Sequence, residues 1–160
     1  MTTETMRFER DYAFPRVIVW DALVDADLVS GWLAEAEIEP EAGGVYNLQW
    51  MLRPGRPVTP GRITELHPLE LLQVETSEGG LRFELTEIAG GNRGSSTRIT
   101  LAVDTEVESA RRASAKADWL TALDQLHDLL FGHPVDWANW GRDLQQTWNE
   151  HLGEAENSTA

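Results

Sequence analysis

The side chains able to do acid–base or metal chemistry are few and scattered in this sequence. It contains 4 His, 2 Tyr and no Cys in 160 residues. His67, His127, His133 and His151 show neither an HExxH motif nor another close ligand spacing. Without Cys the chain cannot form disulfides, thiolate metal sites or a Cys nucleophile. We therefore predict no metal site and no cofactor.

Short catalytic motifs are also missing. The sequence has no GxSxG segment, which is the usual mark of a serine-hydrolase nucleophile. Residues 90–94 are rich in Gly but lack the Gly-Lys-Ser/Thr of a phosphate-binding loop, so we interpret them as a hairpin turn. General acid–base catalysis needs a positioned group with a tuned pKa, and the candidates are Tyr46, Glu65 and His127. Because the sequence shows no dyad among them, we assign no catalytic residue.

Charge and hydropathy limit the partners of the chain. Its 13 Lys and Arg against 27 Asp and Glu give a net charge of −14, which opposes binding to nucleic-acid phosphates and anionic lipids. No window approaches the roughly 18 consecutive apolar residues of a membrane span, and the N-terminus lacks the pattern of a signal peptide. A hydrophobic fraction of 41% is enough for a folded core. We predict an acidic cytoplasmic protein that binds neither nucleic acid nor membrane.

The elements that position these residues begin with a strand and two short helices. Residues 6–12 alternate as in a strand, and apolar residues at helical spacing follow Pro15. Asp25 is suited to cap a second short helix that reaches Leu33. Four carboxylates then alternate with apolar residues on the solvated face of an extended segment: Glu35, Glu37, Glu39 and Glu41.

A meander of antiparallel strands is predicted after Gly43-Gly44. Turn residues, among them Pro54-Gly55, separate apolar segments that are close in sequence, and such neighbours pair antiparallel. Each segment has one apolar face, which predicts a sheet covered on one side. The predicted strands are residues 45–52, 61–66, 71–76, 81–88 and 97–104.

Two helices complete the chain. Residues 109–131 contain no Gly or Pro and repeat apolar side chains every three or four positions, which predicts a long amphipathic helix ended by Gly132 and Pro134. A second helix is expected over about 136–152, followed by a flexible tail over 153–160. An apolar stripe runs along the second helix: Trp137, Trp140, Leu144, Trp148 and Leu152. This stripe either packs on the domain itself or forms an interface, such as that of a homodimer.

Four motifs follow one another in an order that is more specific than any one of them. They are Phe14-Pro15 through Val19-Trp20-Asp21-Ala22-Leu23 with Trp32, Gly43-Gly44-Val45-Tyr46, Gly61-Arg62-Ile63 with Glu65 and Pro68, and Trp119-x-x-x-Leu123-x-x-Leu126-x-x-x-Leu130. In this order the chain resembles the START-like (SRPBCC) superfamily, and within it proteins similar to the Hsp-90 ATPase activator homologue. The resemblance covers about residues 6–131. Two features depart from it, namely Lys116-Ala117-Asp118 before Trp119 and the additional helix at the C-terminus.

The resemblance implies an α+β helix-grip fold, also called Bet v-like, in which a curved antiparallel sheet wraps around a long C-terminal helix. It places one START-like domain over residues 1–152, including the additional helix at about 135–152. In this fold a cavity lies between sheet and helix, although the same apolar side chains could instead meet as a filled core. The ligand-binding residues expected from this arrangement are Tyr46, Leu48, Trp50, Val74, Leu81, Phe83, Leu85, Ile99, Leu101, Trp119, Leu123 and His127.

Three functions are consistent with these features. The first is a binding protein without catalysis that shelters an apolar or amphipathic small molecule, oriented by Tyr46 or His127. The second is an enzyme similar to the polyketide cyclases and aromatases of the superfamily, and the third is a chaperone-associated interaction protein. Fold alone does not choose among them.

Overall fold

Two antiparallel sheets and four α-helices make up the described part of the chain. A computed structural model describes residues 2–53, 55, 57–90, 94–107 and 111–158. The strands are β1 (Thr2–Tyr12), β2 (Glu35–Ile38), β3 (Tyr46–Gln49), β4 (Val58–Thr59), β5 (Gly61–His67), β6 (Leu71–Thr76), β7 (Gly79–Ala89) and β8 (Ser95–Val107). The helices are α1 (Arg16–Val24), α2 (Ala26–Val29), α3 (Arg112–Leu130) and α4 (Trp140–Ser158), with a 3-10 turn at Trp137–Asn139. This order confirms the predicted helix-grip arrangement.

The strands do not form the single five-stranded meander that the sequence predicted. The main sheet has the order β1-β8-β7-β6-β5, and β3 belongs to a second sheet of order β2-β3-β4. The separation begins at the two glycines before β3. The Gly43 N–H donates to the Ile63 carbonyl and the Ile63 N–H donates to the Gly44 carbonyl, both at 2.8 Å. Strand β5 therefore bonds the segment before β3, while β3 itself pairs with β2 and β4.

Local signals explain the helix ends near the N-terminus. The Asp25 carboxylate accepts from the Asp27 and Leu28 N–H groups, at 2.9 and 3.4 Å, and so caps α2 as predicted. Helix α2 ends at Val29, earlier than the predicted Leu33, and residues 30–33 form turns. Trp32 nevertheless lies in the core, where its indole N–H donates to the Ala22 carbonyl at 2.8 Å.

Helix α3 covers the apolar face of the main sheet. Its buried residues include Leu123 and Leu126, which belong to the same core as Phe83 and Leu101 of the sheet. Burying a large apolar side chain contributes about 1.5–3 kcal/mol relative to leaving it exposed, so this layer is a main source of stability. The chain leaves α3 through Gly132, whose φ of +88° suits the predicted glycine stop.

Helix α4 is longer than the sequence indicated, and it is anchored to the body of the protein. It continues to Ser158, and Ala155 is buried, so the predicted flexible tail is helical as far as the description reaches. Asp124 of α3 accepts at 2.6 Å from Arg10 of β1 and lies 2.6 Å from Nε2 of His151 of α4. These contacts join β1, α3 and α4.

Three predicted features fall outside the described residues. They are Pro54 of one turn, residues 91–93 of the hairpin turn, and the first residues of the long helix, which was expected to begin at Ser109. Among the residues described, no helix combines the length and the apolar character needed to cross a membrane.

Candidate functional site

An open cavity of about 710 Å³ lies between the main sheet, the second sheet and helices α3 and α4. Pockets that hold small molecules usually have volumes of about 300–1,000 Å³. The sheets contribute apolar side chains at its base, because the inward-facing positions of their strands are apolar. These are Met6 of β1, Leu48 of β3, Leu81 of β7 and Val103 of β8. A space of this size and composition can hold an organic molecule of moderate size.

Tryptophan dominates the rest of the wall. The sequence has 7 Trp, and the following five line the cavity: Trp50, Trp119, Trp137, Trp140 and Trp148. Trp50 and Trp119 meet edge to face with ring centroids 6.5 Å apart. The wall therefore offers large aromatic surfaces from the residue that follows β3, from α3 and from the C-terminal segment.

The three tryptophans of the C-terminal segment are held by hydrogen bonds within the chain. The Trp137 indole N–H donates to the Ser30 carbonyl, that of Trp140 to Oε1 of Gln125, and that of Trp148 to Oδ1 of Asp118, each at 2.8 Å. The stripe thus packs on its own domain, which is one of the two arrangements that the sequence left open. Because these N–H groups are satisfied, the rings offer a ligand mainly their π faces. Homodimerisation through the stripe stays a prediction.

Arg53 and Glu78 form a polar cluster at the edge of the cavity with Trp50. The Arg53 guanidinium carbon lies 4.5 Å from the centroid of the Trp50 ring. The same guanidinium donates to both carboxylate oxygens of Glu78, at 2.8 and 2.9 Å. The Trp50 indole N–H donates at 2.7 Å to the Thr59 hydroxyl, which in turn donates to Glu78. Partial burial raises the pKa of Glu78, but its hydrogen bonds to Thr59 and Arg53 outweigh this and hold the pKa low.

Two polar residues of α3, Asp118 and Thr121, line the cavity. The Thr121 hydroxyl is buried and, within the described residues, has no hydrogen-bond partner. The Asp118 carboxylate is open to water through the cavity but crowded by its walls, and this loss of hydration raises its pKa. The hydrogen bond from Trp148 and the charge of Arg53 reduce that shift without cancelling it. Both groups could therefore be stabilised by a polar ligand.

The structure divides the predicted ligand-binding residues into two groups. Leu48, Trp50, Leu81 and Trp119 line the cavity. The other apolar members pack against one another in the core and do not line it: Val74, Phe83, Leu85, Ile99, Leu101 and Leu123. The apolar face of the sheet is thus partly filled and partly open, which combines the two arrangements considered from the sequence.

The predicted polar groups of the site lie elsewhere. Tyr46 is fully buried beneath the cavity lining, where its hydroxyl donates to the Leu23 carbonyl at 2.7 Å and burial raises its pKa. His127 has a side chain that is 55% exposed and lies against the Phe131 ring, 4.8 Å between centroids. Glu65 is on β5, at 3.1 Å from His67. None of these three side chains lines the cavity.

Sequence reasoning missed Thr121, Gln125 and Asp118. Gln125 is buried and bridges two tryptophans: its side-chain amide donates to the Trp32 carbonyl at 2.6 Å and accepts from Trp140. A signal was present, because Thr121 and Gln125 follow Ala117 at intervals of four, and these three residues lie on the buried side of α3. Polar residues on such a face are informative, since burial is costly without a partner.

Several solved structures share this fold. The solution structure of CalU16 from Micromonospora echinospora aligns with a TM-score of 0.69 and 18% identity, over 94% of this chain and 83% of CalU16. A protein from Rhodobacter sphaeroides aligns with a TM-score of 0.64 and 24% identity, over 80% of this chain and 92% of its own. DynU16, of the dynemicin biosynthetic locus, aligns with a TM-score of 0.64 and 20% identity, over 81% of this chain and 48% of DynU16.

These likenesses show the fold and not the activity, since all three identities are below 25%. The alignment to CalU16 is long enough to extend past residue 130 into the C-terminal segment. A comparison with curated proteins gives no match. The family model described as Activator of Hsp90 ATPase homolog 1-like protein matches residues 13–130. The chain belongs to this family.

Proposed function

We propose that this protein binds an apolar or amphipathic small molecule in the tryptophan-lined cavity. The observation that carries the proposal is the cavity itself, about 710 Å³ in volume and walled by five Trp together with aliphatic side chains. Aromatic rings bury large areas at little conformational cost, because they have few rotatable bonds. A ligand that covers these faces would gain affinity from the hydrophobic effect.

The polar groups favour a ligand that is not wholly apolar. Thr121 lines the cavity, and its buried hydroxyl has no hydrogen-bond partner among the described residues, so a ligand oxygen or nitrogen that reached it would satisfy it. The ligand would therefore have an apolar body and a polar group directed towards α3.

Binding is better supported than catalysis by the same residues. Tyr46 and His127, which the sequence singled out for acid–base work, lie outside the cavity lining. The location of DynU16 in the dynemicin biosynthetic locus is a property of that protein, and among the described residues the acid–base candidates that the sequence offered do not line the cavity. The chaperone-associated function rests on the description of the family alone.

The first test is mass spectrometry of the freshly purified protein, under native conditions and again after organic extraction. We expect an excess mass that is released as a small molecule. A second test uses the neutral probe 1,6-diphenylhexatriene, whose fluorescence rises in an apolar site. We expect saturable binding, with displacement of the probe by the extracted molecule.

A cavity-filling variant locates the binding. Ala115 of α3 lines the cavity, whereas Ala113 of the same helix does not. We expect Ala115→Phe to reduce probe binding at least about tenfold, because the added ring occupies the space of the ligand. Ala113→Phe is the matched control and should bind as the parent does. An empty protein with no probe binding, or equal binding by the two variants, would refute the proposal.

A further inference from the structure

We infer that the tryptophan-lined cavity selects a cationic ligand, an organic ammonium or amidinium group joined to an apolar body. This inference rests on the proposed function, since it names the class of molecule that the cavity takes. It depends on three features of the wall, namely the tryptophan faces, the Asp118 carboxylate and the Thr121 hydroxyl, which has no hydrogen-bond partner in the part of the chain that the structure describes.

The wall already holds one cation on an aromatic face. The Arg53 guanidinium lies over the Trp50 ring at 4.5 Å, within the distance at which the negative face of an indole attracts a positive charge. Trp119, Trp140 and Trp148 present further rings to the same space. Several indoles around one volume are the arrangement that proteins use to bind alkylammonium groups. A neutral ligand would gain from these rings only the burial of apolar surface, without the electrostatic attraction.

Asp118 supplies the counter-charge. It lies on α3 and lines the cavity, and its carboxylate is held at 2.8 Å by the indole N–H of Trp148, another residue of the wall. The wall removes part of its hydration, which is why its pKa is raised. A ligand cation at this point would compensate for the lost hydration and lower the pKa of the carboxyl group again.

The remaining charges of the wall do not favour an anion. Arg53 is engaged by Glu78 through two hydrogen bonds, and Arg111 is an exposed residue at the edge. Asp118 adds negative charge to the same lining. The protein as a whole has a charge of −14, which attracts cations and repels anions over the distance of a Debye length. An anionic amphiphile would therefore meet repulsion both on approach and in the cavity.

Thr121 completes the recognition. Its hydroxyl is buried in the inner wall, lacks a protein partner within the described residues, and can accept an N–H from a protonated amine. It lies on α3 three residues after Asp118, one turn further along the helix. The two side chains thus offer an ammonium group both a charge and a hydrogen bond.

The test uses three probes that share one body. They are 1,6-diphenylhexatriene, its trimethylammonium derivative and its propionic acid derivative, titrated into the full-length protein with probe fluorescence as the readout. We expect the cationic probe to bind about tenfold tighter than the neutral one and the anionic probe to bind weakest. A primary-amine derivative of the same body, which can donate to Thr121, should bind at least as tightly as the trimethylammonium probe.

Two variants identify the source of the preference. Asp118→Asn removes the charge but keeps an oxygen that accepts from Trp148, and we expect the ratio of cationic to neutral probe affinity to fall to about threefold or less. Asp128→Asn is the control, because Asp128 is an exposed carboxylate of α3 that does not line the cavity. It should keep the full preference. Measurements in 0.5 M salt separate the local contact from the overall charge, since only the latter is screened.

The outcomes distinguish this inference from the function on which it rests. Equal affinity for the neutral and cationic probes, or tighter binding of the anionic probe, overturns the inference and leaves the binding function standing. The same holds if Asp118→Asn retains the full cation preference. Failure of all the probes to bind overturns both proposals.

Discussion

Gln125 is one of the α3 residues that hold the C-terminal segment, and its substitution tests how the cavity is built. Its side-chain amide donates to the Trp32 carbonyl at 2.6 Å and accepts from the Trp140 indole N–H at 2.8 Å. Trp32 belongs to the core next to α1, while Trp140 begins α4 and lines the cavity. Gln125→Leu keeps the approximate volume of the side chain but removes both hydrogen bonds.

The expected loss of stability follows from the groups that stay behind. The Trp32 carbonyl is in the core and loses its partner, at a cost of about 1–3 kcal/mol. The Trp140 side chain is half-buried and its N–H can reach water, so the loss of its partner adds only about 1 kcal/mol to the destabilisation. The leucine side chain gains about 1 kcal/mol from its own burial. We therefore expect Gln125→Leu to lower the free energy of unfolding by about 1–3 kcal/mol.

Urea unfolding followed by far-UV circular dichroism measures this change. A double-mutant cycle with Trp140→Phe isolates the bond between the two side chains, and we expect a coupling energy of about 1 kcal/mol. Gln145→Leu is the matched control: Gln145 is exposed on α4, so the same substitution should change stability by less than about 0.5 kcal/mol. The cavity should also bind the neutral probe more weakly in Gln125→Leu, because Trp140 loses its anchor.

The reasoning fails if Gln125→Leu is as stable as Gln145→Leu, or if the cycle gives no coupling. Either result would mean that α4 is held by other contacts, such as the Arg10–Asp124–His151 group. A loss of stability with unchanged probe binding would mean that the hydrogen bonds of Gln125 stabilise the fold but are not needed to shape the cavity.

Three further predictions concern single side chains. Tyr46→Phe should lower the free energy of unfolding in urea by about 1–2 kcal/mol, because the buried Leu23 carbonyl loses its donor. Probe binding should be unchanged, and weaker binding would contradict the placement of Tyr46 outside the cavity. Gly132→Ala should cost about 1 kcal/mol, because its φ is +88° and an added Cβ meets no neighbour within 4 Å, so only backbone strain opposes it. Asp118→Asn should be more stable than the parent at pH 7, since a raised pKa means that the ionised carboxylate costs folding free energy above that pKa. The difference should fade in unfolding experiments as the pH falls to 4, and a less stable variant at pH 7 would refute the sign.

Local chemistry in the sequence determined the order and type of most elements. The Asp25 cap, the glycine stop at Gly132 and the apolar repeat of α3 act within a few residues of themselves, so their effects can be predicted without the fold. The same is true of the tryptophan stripe, because helical spacing alone places Trp140 and Trp148 on one side. The family motifs then predicted that these elements are arranged in a helix-grip fold.

Tertiary contacts decided which side chains form the cavity. Whether Tyr46 meets a ligand or the Leu23 carbonyl depends on how α1 packs beneath β3, and residue types at these positions do not specify that distance. The division of the strands into two sheets likewise depends on hydrogen bonds between Gly43, Gly44 and Ile63, far apart in the chain. Asp118 became a site residue only when α4 brought Trp148 to it, across 30 positions of sequence. Sequence periodicity predicts which face of an element is apolar, whereas the space left between two such faces depends on how both pack.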